Sequence, residues 1–68
     1  MNVKCKKLSP RQVEILRYRS NGYLNKQIAS ELGICEDTVK EHITIALQKL
    51  NYKSVIQAVA QLVRDNVI

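Results

Sequence analysis

The side chains able to do covalent or acid–base chemistry are few in this sequence, and they do not converge. There is one histidine, His42, and there are two cysteines, Cys5 and Cys35. Without a Cys-x-x-Cys pair they leave too few ligands for a structural zinc. His42 stands beside apolar-periodic positions with no serine, cysteine or carboxylate set around it. A packed, hydrogen-bonded structural role is expected for it rather than catalysis or pH sensing. Cys35 falls at a helix start, where thiolate is favoured; it is expected to be a small buried cysteine in a turn, not a redox switch. Paired carboxylates, a nucleophile–base set and a phosphate loop are all missing. The sequence therefore predicts no enzyme, no metal and no cofactor.

What remains is recognition without chemistry. The stretch GICEDTVKEHITIALQKL, residues 33–50, carries an apolar stripe at Val39, Ile43, Ala46, Leu47 and Leu50, the spacing of a helix with one buried face. Subtracting that stripe leaves Asp37, Thr38, Lys40, Glu41, Thr44, Ile45 and Gln48 facing outward. Short polar residues on such a face can reach base edges in a DNA major groove, which is wide enough to admit one helix. The net charge of +5, from eleven Lys/Arg against six Asp/Glu, favours a polyanionic partner, nucleic acid before a membrane surface. The helix itself carries three acids against Lys40 and Lys49, so the positive excess lies elsewhere: Lys4, Lys6, Lys7 and Arg11, then Arg17 and Arg19, then Lys26 and Lys53. That distribution suits phosphate contacts from flanking elements.

Four helices must position this face. The first begins at Ser9-Pro10-Arg11-Gln12: serine caps, proline suits the first helical position, and Gln12 is at capping-box spacing. Leu8 and Val13 have the spacing of a hydrophobic staple, Ile15 and Leu16 are core candidates, and Asn21-Gly22 ends the helix near Ser20. The second covers roughly residues 25–32, with Ile28, Ala29 and Leu32 on one face and Gly33 at a left-handed exit. The third runs from about Glu36 to Leu50. Glu36 and Asp37 in its first turn and Lys49 in its last complement the helix dipole, and Asn51 suits a left-handed end. The fourth starts with a second capping box, Ser54-x-x-Gln57, and runs to about Asp65. The second helix, the short turn at Gly33 and the third helix read as a helix-turn-helix. The fold class is all-α, a compact four-helix bundle containing that motif.

At 68 residues the chain is one domain, residues 8–68, preceded by a basic arm, residues 1–7. A domain this small buries only about 60% of the surface its unfolded chain exposes, so a partner subunit would help it. Helix four supplies a candidate surface. Val55, Ala58, Val59 and Leu62 can face the core, leaving Ile56, Ala60, Val63 and Val67 as a neighbouring apolar strip with no second layer to cover it. That predicts a homodimer. The basic start, MNVKCKK, lacks the apolar stretch of a signal peptide, and no run approaches the roughly 20 apolar residues that span a bilayer. A cytoplasmic protein with reduced thiols and no membrane partner is expected. The same start reads as that of a stand-alone protein.

Several motifs in order give a resemblance. The segments LSPRQVEIL, GYLNKQIASELGICEDTVKEHITIALQKLNYKS and QAV resemble the LuxR-type (GerE-like) helix-turn-helix DNA-binding domain over residues 8 to about 65. The family's L-[ST]-x-R-E-x-E-[VI]-L opening is matched by Leu8, Ser9, Arg11, Glu14, Ile15 and Leu16. Its N-K-E-I-A is matched by Asn25, Lys26, Ile28 and Ala29. Its L-G-I-S-x-x-T-V-K-x-H is matched by Leu32, Gly33, Ile34, Thr38, Val39, Lys40 and His42, and its tail by Lys49, Leu50, Ala58 and Val59. The departures are Gln12 and Gln27 for glutamate, Leu24 for the usual helix-two cap, Cys35 for serine before helix three, and Val55 for a common arginine. Without a Ser/Thr at 24, Asn25 is expected to cap helix two. A thiol caps poorly, which costs helix three about 1 kcal/mol.

The resemblance implies a sequence-specific, double-stranded-DNA-binding transcription regulator. It implies base-reading by Lys40, Glu41 and Thr44, with Asn25, Lys26, Thr38, Lys49 and Lys53 as phosphate candidates, and dimerisation through helix four. A second function class stays open: a protein-interaction module of the same fold. One form is similar to sigma-factor region 4 and binds RNA polymerase; another sequesters a larger regulator by mixed dimerisation. The K-x-H here fits the LuxR-type pattern better than the Lys-Ser-Arg usual in sigma factors, whereas the acid-rich third helix keeps the sequestering form in view.

Overall fold

The structure, a computed structural model, describes residues 8–68. The basic arm, with Lys4, Cys5, Lys6 and Lys7, lies outside the described residues. Four helices follow: α1 Pro10–Ser20, α2 Asn25–Leu32, α3 Glu36–Leu50 and α4 Val55–Arg64. No strand occurs among the described residues.

The start of α1 is built from local chemistry. Gln12 N–H donates to Ser9 Oγ at 3.2 Å, and Ser9 N–H donates back to Gln12 Oε1 at 3.0 Å, a complete capping box. Leu8 and Val13 pack into one apolar cluster across it, as the staple spacing predicts. The other helix starts are weaker. Leu24 occupies the N-cap of α2 with no side-chain acceptor, and only the returning half of a box survives, Leu24 N–H to Gln27 Oε1 at 2.8 Å. Asn25 does not cap, contrary to expectation. Leu24 already holds the extended cap backbone (φ −83°, ψ 159°), which leaves Asn25 inside the helix as its first residue. Ser54 caps α4, but its Oγ accepts from Ile56 N–H at 3.1 Å and no capping box with Gln57 forms. A bond to the second helical N–H, rather than the third, satisfies the serine without a glutamine partner.

All four helices end the same way. A residue with positive φ follows or nearly follows each last turn: Gly22 (88°), Gly33 (68°), Asn51 (62°) and Asn66 (59°). The next N–H folds back over the helix end: Tyr23 to Tyr18 C=O, Ile34 to Ala29, Tyr52 to Leu47 and Val67 to Leu62, at 2.9–3.1 Å. This satisfies an orphan carbonyl and turns an apolar residue back onto the helix just left. Tyr23, Ile34, Tyr52 and Val67 all pack against the core in consequence.

The core has two clusters that share α1 and α3. Ile15 joins Ile28, Ala29, Val39 and Ile43, locking α2 to α3. Leu16, the next residue, joins Leu8, Ala46, Leu50, Ala58 and Leu62, locking α4 beneath. Leu47 and Val55 pack against both. The predicted core residues of α4 divide: Ala58 and Leu62 are fully buried, whereas Val55 and Val59 are half-buried.

Candidate nucleic-acid interface

The buried stripe of α3, Val39, Ile43, Ala46 and Leu50, fixes the rotation of the helix. Asp37, Thr38, Lys40, Glu41, Thr44 and Gln48 are thereby exposed, and Ile45 is half-buried. Lys40, Thr44 and Gln48 succeed one another at four-residue steps along one ridge. Thr44 Oγ1 donates to Lys40 C=O at 2.9 Å. Its hydroxyl proton is thus committed to the helix, leaving oxygen lone pairs and a methyl group facing out.

The phosphate candidates lie around this ridge rather than on it. Lys26 and Lys53 are exposed. Thr38 and Lys49 lie on the flank of the exposed arc opposite Lys40, about half a turn round the helix. Lys49 Nζ donates to Gln12 Oε1 at 3.2 Å, and Gln12 is almost wholly buried. A neutral amide rather than a carboxylate lies beneath it, and Lys49 forms no ion pair among the described residues. Asn25 is half-buried at the start of α2, and its Oδ1 accepts from Arg19 Nη1 at 3.5 Å.

A groove of about 350 Å³ joins these elements, its polar rim formed by Arg19, Asn25, Lys40 and Thr44 over Leu47 and Val55. Three of those rim residues were legible from sequence. Arg19 was legible only as one charge among many, because no motif marks it and its reach depends on how α1 meets α2.

Two expectations fail here. His42 is half-buried, but its Nδ1 is buried without a hydrogen-bond partner. Cys35 is exposed, not buried. As N-cap residue with extended backbone (φ −74°, ψ 149°) it stands at the outer edge of α3, and its thiol makes no capping bond.

The strip on α4 is only partly continuous. Ile56 and Val63 are 80% and 49% exposed, and Ala60 is half-buried between them. Val67 does not share that face. The helix ends at Arg64, and the turn at Asn66 folds Val67 onto the cluster of Leu8 and Leu62, where its carbonyl accepts from Arg17 Nη2 at 3.3 Å.

No group of three or more His, Cys, Asp or Glu that could hold a metal occurs among the described residues. No helix among them is long and apolar enough to cross a membrane.

Fold and site together define a small helix-turn-helix domain whose second motif helix presents a polar face. Residues 6–62 match the family model for bacterial regulatory proteins of the luxR family, and the chain belongs to that family, as a GerE/LuxR-type DNA-binding domain of transcription regulators. It is 44% identical over 57 residues to the spore germination protein GerE of Bacillus subtilis, covering 84% of this chain and 77% of that one. It is 38% identical over 58 residues to the transcriptional regulatory protein DegU of Brevibacillus brevis, covering 85% of this chain and 25% of the relative. It is 47% identical over 51 residues to the nitrate/nitrite response regulator protein NarP of Escherichia coli, covering 75% and 24%. The chain thus spans about a quarter of the length of the last two. No solved structure matches it significantly.

Proposed function

We propose that the chain reads a specific DNA sequence with α3 in the major groove, while α2 crosses the phosphate backbone. Lys40, Glu41 and Thr44 meet base edges. Lys40 donates to guanine, Glu41 accepts from cytosine N4, and Thr44 accepts a base N–H or covers a thymine methyl. Asn25, Lys26, Thr38, Lys49 and Lys53 hold the backbone on either side. The observation that carries this reading is the exposed ridge of α3, which is polar and fixed in rotation by a buried opposite face.

On this reading the functional unit is a homodimer joined through α4. Exposed Ile56 and Val63, with Ala60 between them, support it, because a bare apolar strip on so small a domain usually marks a partner surface. Two-fold symmetry would then set two recognition helices about 34–36 Å apart, on an inverted repeat. Selection of bound sequences from a random duplex pool tests the reading. Enrichment of an inverted repeat is expected; a pool that stays random after selection contradicts sequence-specific binding.

A further inference from the structure

The guanidinium of Arg19 lies where three helices meet. Its Nη1 donates to Tyr23 C=O at 3.3 Å and to Asn25 Oδ1 at 3.5 Å. Tyr23 is itself fixed, its N–H returning to Tyr18 C=O at 3.1 Å and its ring lying 4.9 Å from that of Tyr18. One corner of the guanidinium is therefore tied to a rigid turn and to the first residue of α2. No hydrogen bond among the described residues engages Nη2 or Nε. The one ion pair among them is Arg11–Glu14, so no carboxylate neutralises Arg19. On the groove rim Arg19 joins Lys40 and Thr44 of the α3 ridge, and no acidic residue lines that groove. An arginine keeps its charge at all relevant pH and presents a planar fork suited to phosphate oxygens, and one already held in place loses less side-chain freedom on binding.

We propose that Arg19 is a DNA-backbone contact, gripping a phosphate at the edge of the major groove and, through Asn25, coupling that grip to the start of α2 so as to fix the register of α3. This rests on the reading of α3 as the recognition helix. It assigns a phosphate contact to α1, an element outside the helix-turn-helix.

The test is the affinity for a short duplex of mixed sequence across a salt series, with Lys26→Ala as reference. Arg19→Gln should weaken binding and flatten the slope of log affinity against log salt by about 0.9, the loss of one phosphate contact. Arg19→Lys, which keeps the charge, should restore the slope. A slope unchanged in Arg19→Gln while Lys26→Ala flattens it overturns the assignment and leaves the DNA reading intact. A slope flattened equally in Arg19→Lys also overturns it, because the residue would then act only by holding the turn. A wild-type protein that binds no duplex overturns the DNA reading and this assignment together.

Discussion

The hydroxyl of Thr44 already donates to the carbonyl of Lys40, so on the proposed reading it would meet DNA as an acceptor or through its methyl group. Lys40, one turn earlier on the ridge, can only donate. The two residues therefore favour different base edges, and removing either should blur a different position of the site. Lys40→Ala or Thr44→Ala should cost about 1–3 kcal/mol on the selected sequence and relax preference at one or two positions. Competition between selected and mixed duplexes measures this. An equal loss on both would reassign the residue to the backbone. Neither side chain bears on the packing of α3, since both are exposed, so the variants should melt as the wild type does.

At the scale of elements, α3 begins badly. Cys35 holds N-cap geometry but no capping bond. Cys35→Ser supplies the missing acceptor and should stabilise the domain by about 1 kcal/mol, raising the melting midpoint by about 4–8 °C for a chain of this size. A thermal melt followed by circular dichroism decides it, and an unchanged or lowered midpoint would show that water already satisfies those N–H groups. Helix ends of this kind are where the sequence is most legible, because caps and turns are local. Ser9–Gln12, Gly33 and Asn51 do what their residue types predict. The misses have a different origin. Asn66 and the folding-back of Val67 depend on the core cluster waiting beneath α4. Leu24 sits at a cap by default of its neighbours. Arg19 reaches Tyr23 and Asn25, and Lys49 reaches Gln12, through long side chains whose direction is set by which helix lies opposite; these contacts, unlike the charges themselves, are encoded by no local pattern.

Among the described residues the molecule is two small apolar clusters hinged on adjacent residues of α1, with an apolar strip exposed on α4. So little buried surface gives a narrow margin of stability, which a second copy on α4 would widen. Val63→Glu places a charge within the strip without touching the buried residues of α4, Ala58 and Leu62. It should convert a dimer to a monomer in sedimentation while helical content stays constant; a wild type that sediments as a monomer, alone and on DNA, removes the dimer from the account. The central claim, that the exposed ridge of α3 is the surface that meets DNA, is tested most directly by titrating isotope-labelled protein with the selected duplex and following backbone amide resonances. Shifts should concentrate at Thr38, Lys40, Glu41, Thr44 and Gln48, with a second group at Asn25 and Lys26. Shifts confined to α4 around Ile56 and Val63, with α3 silent, would contradict it.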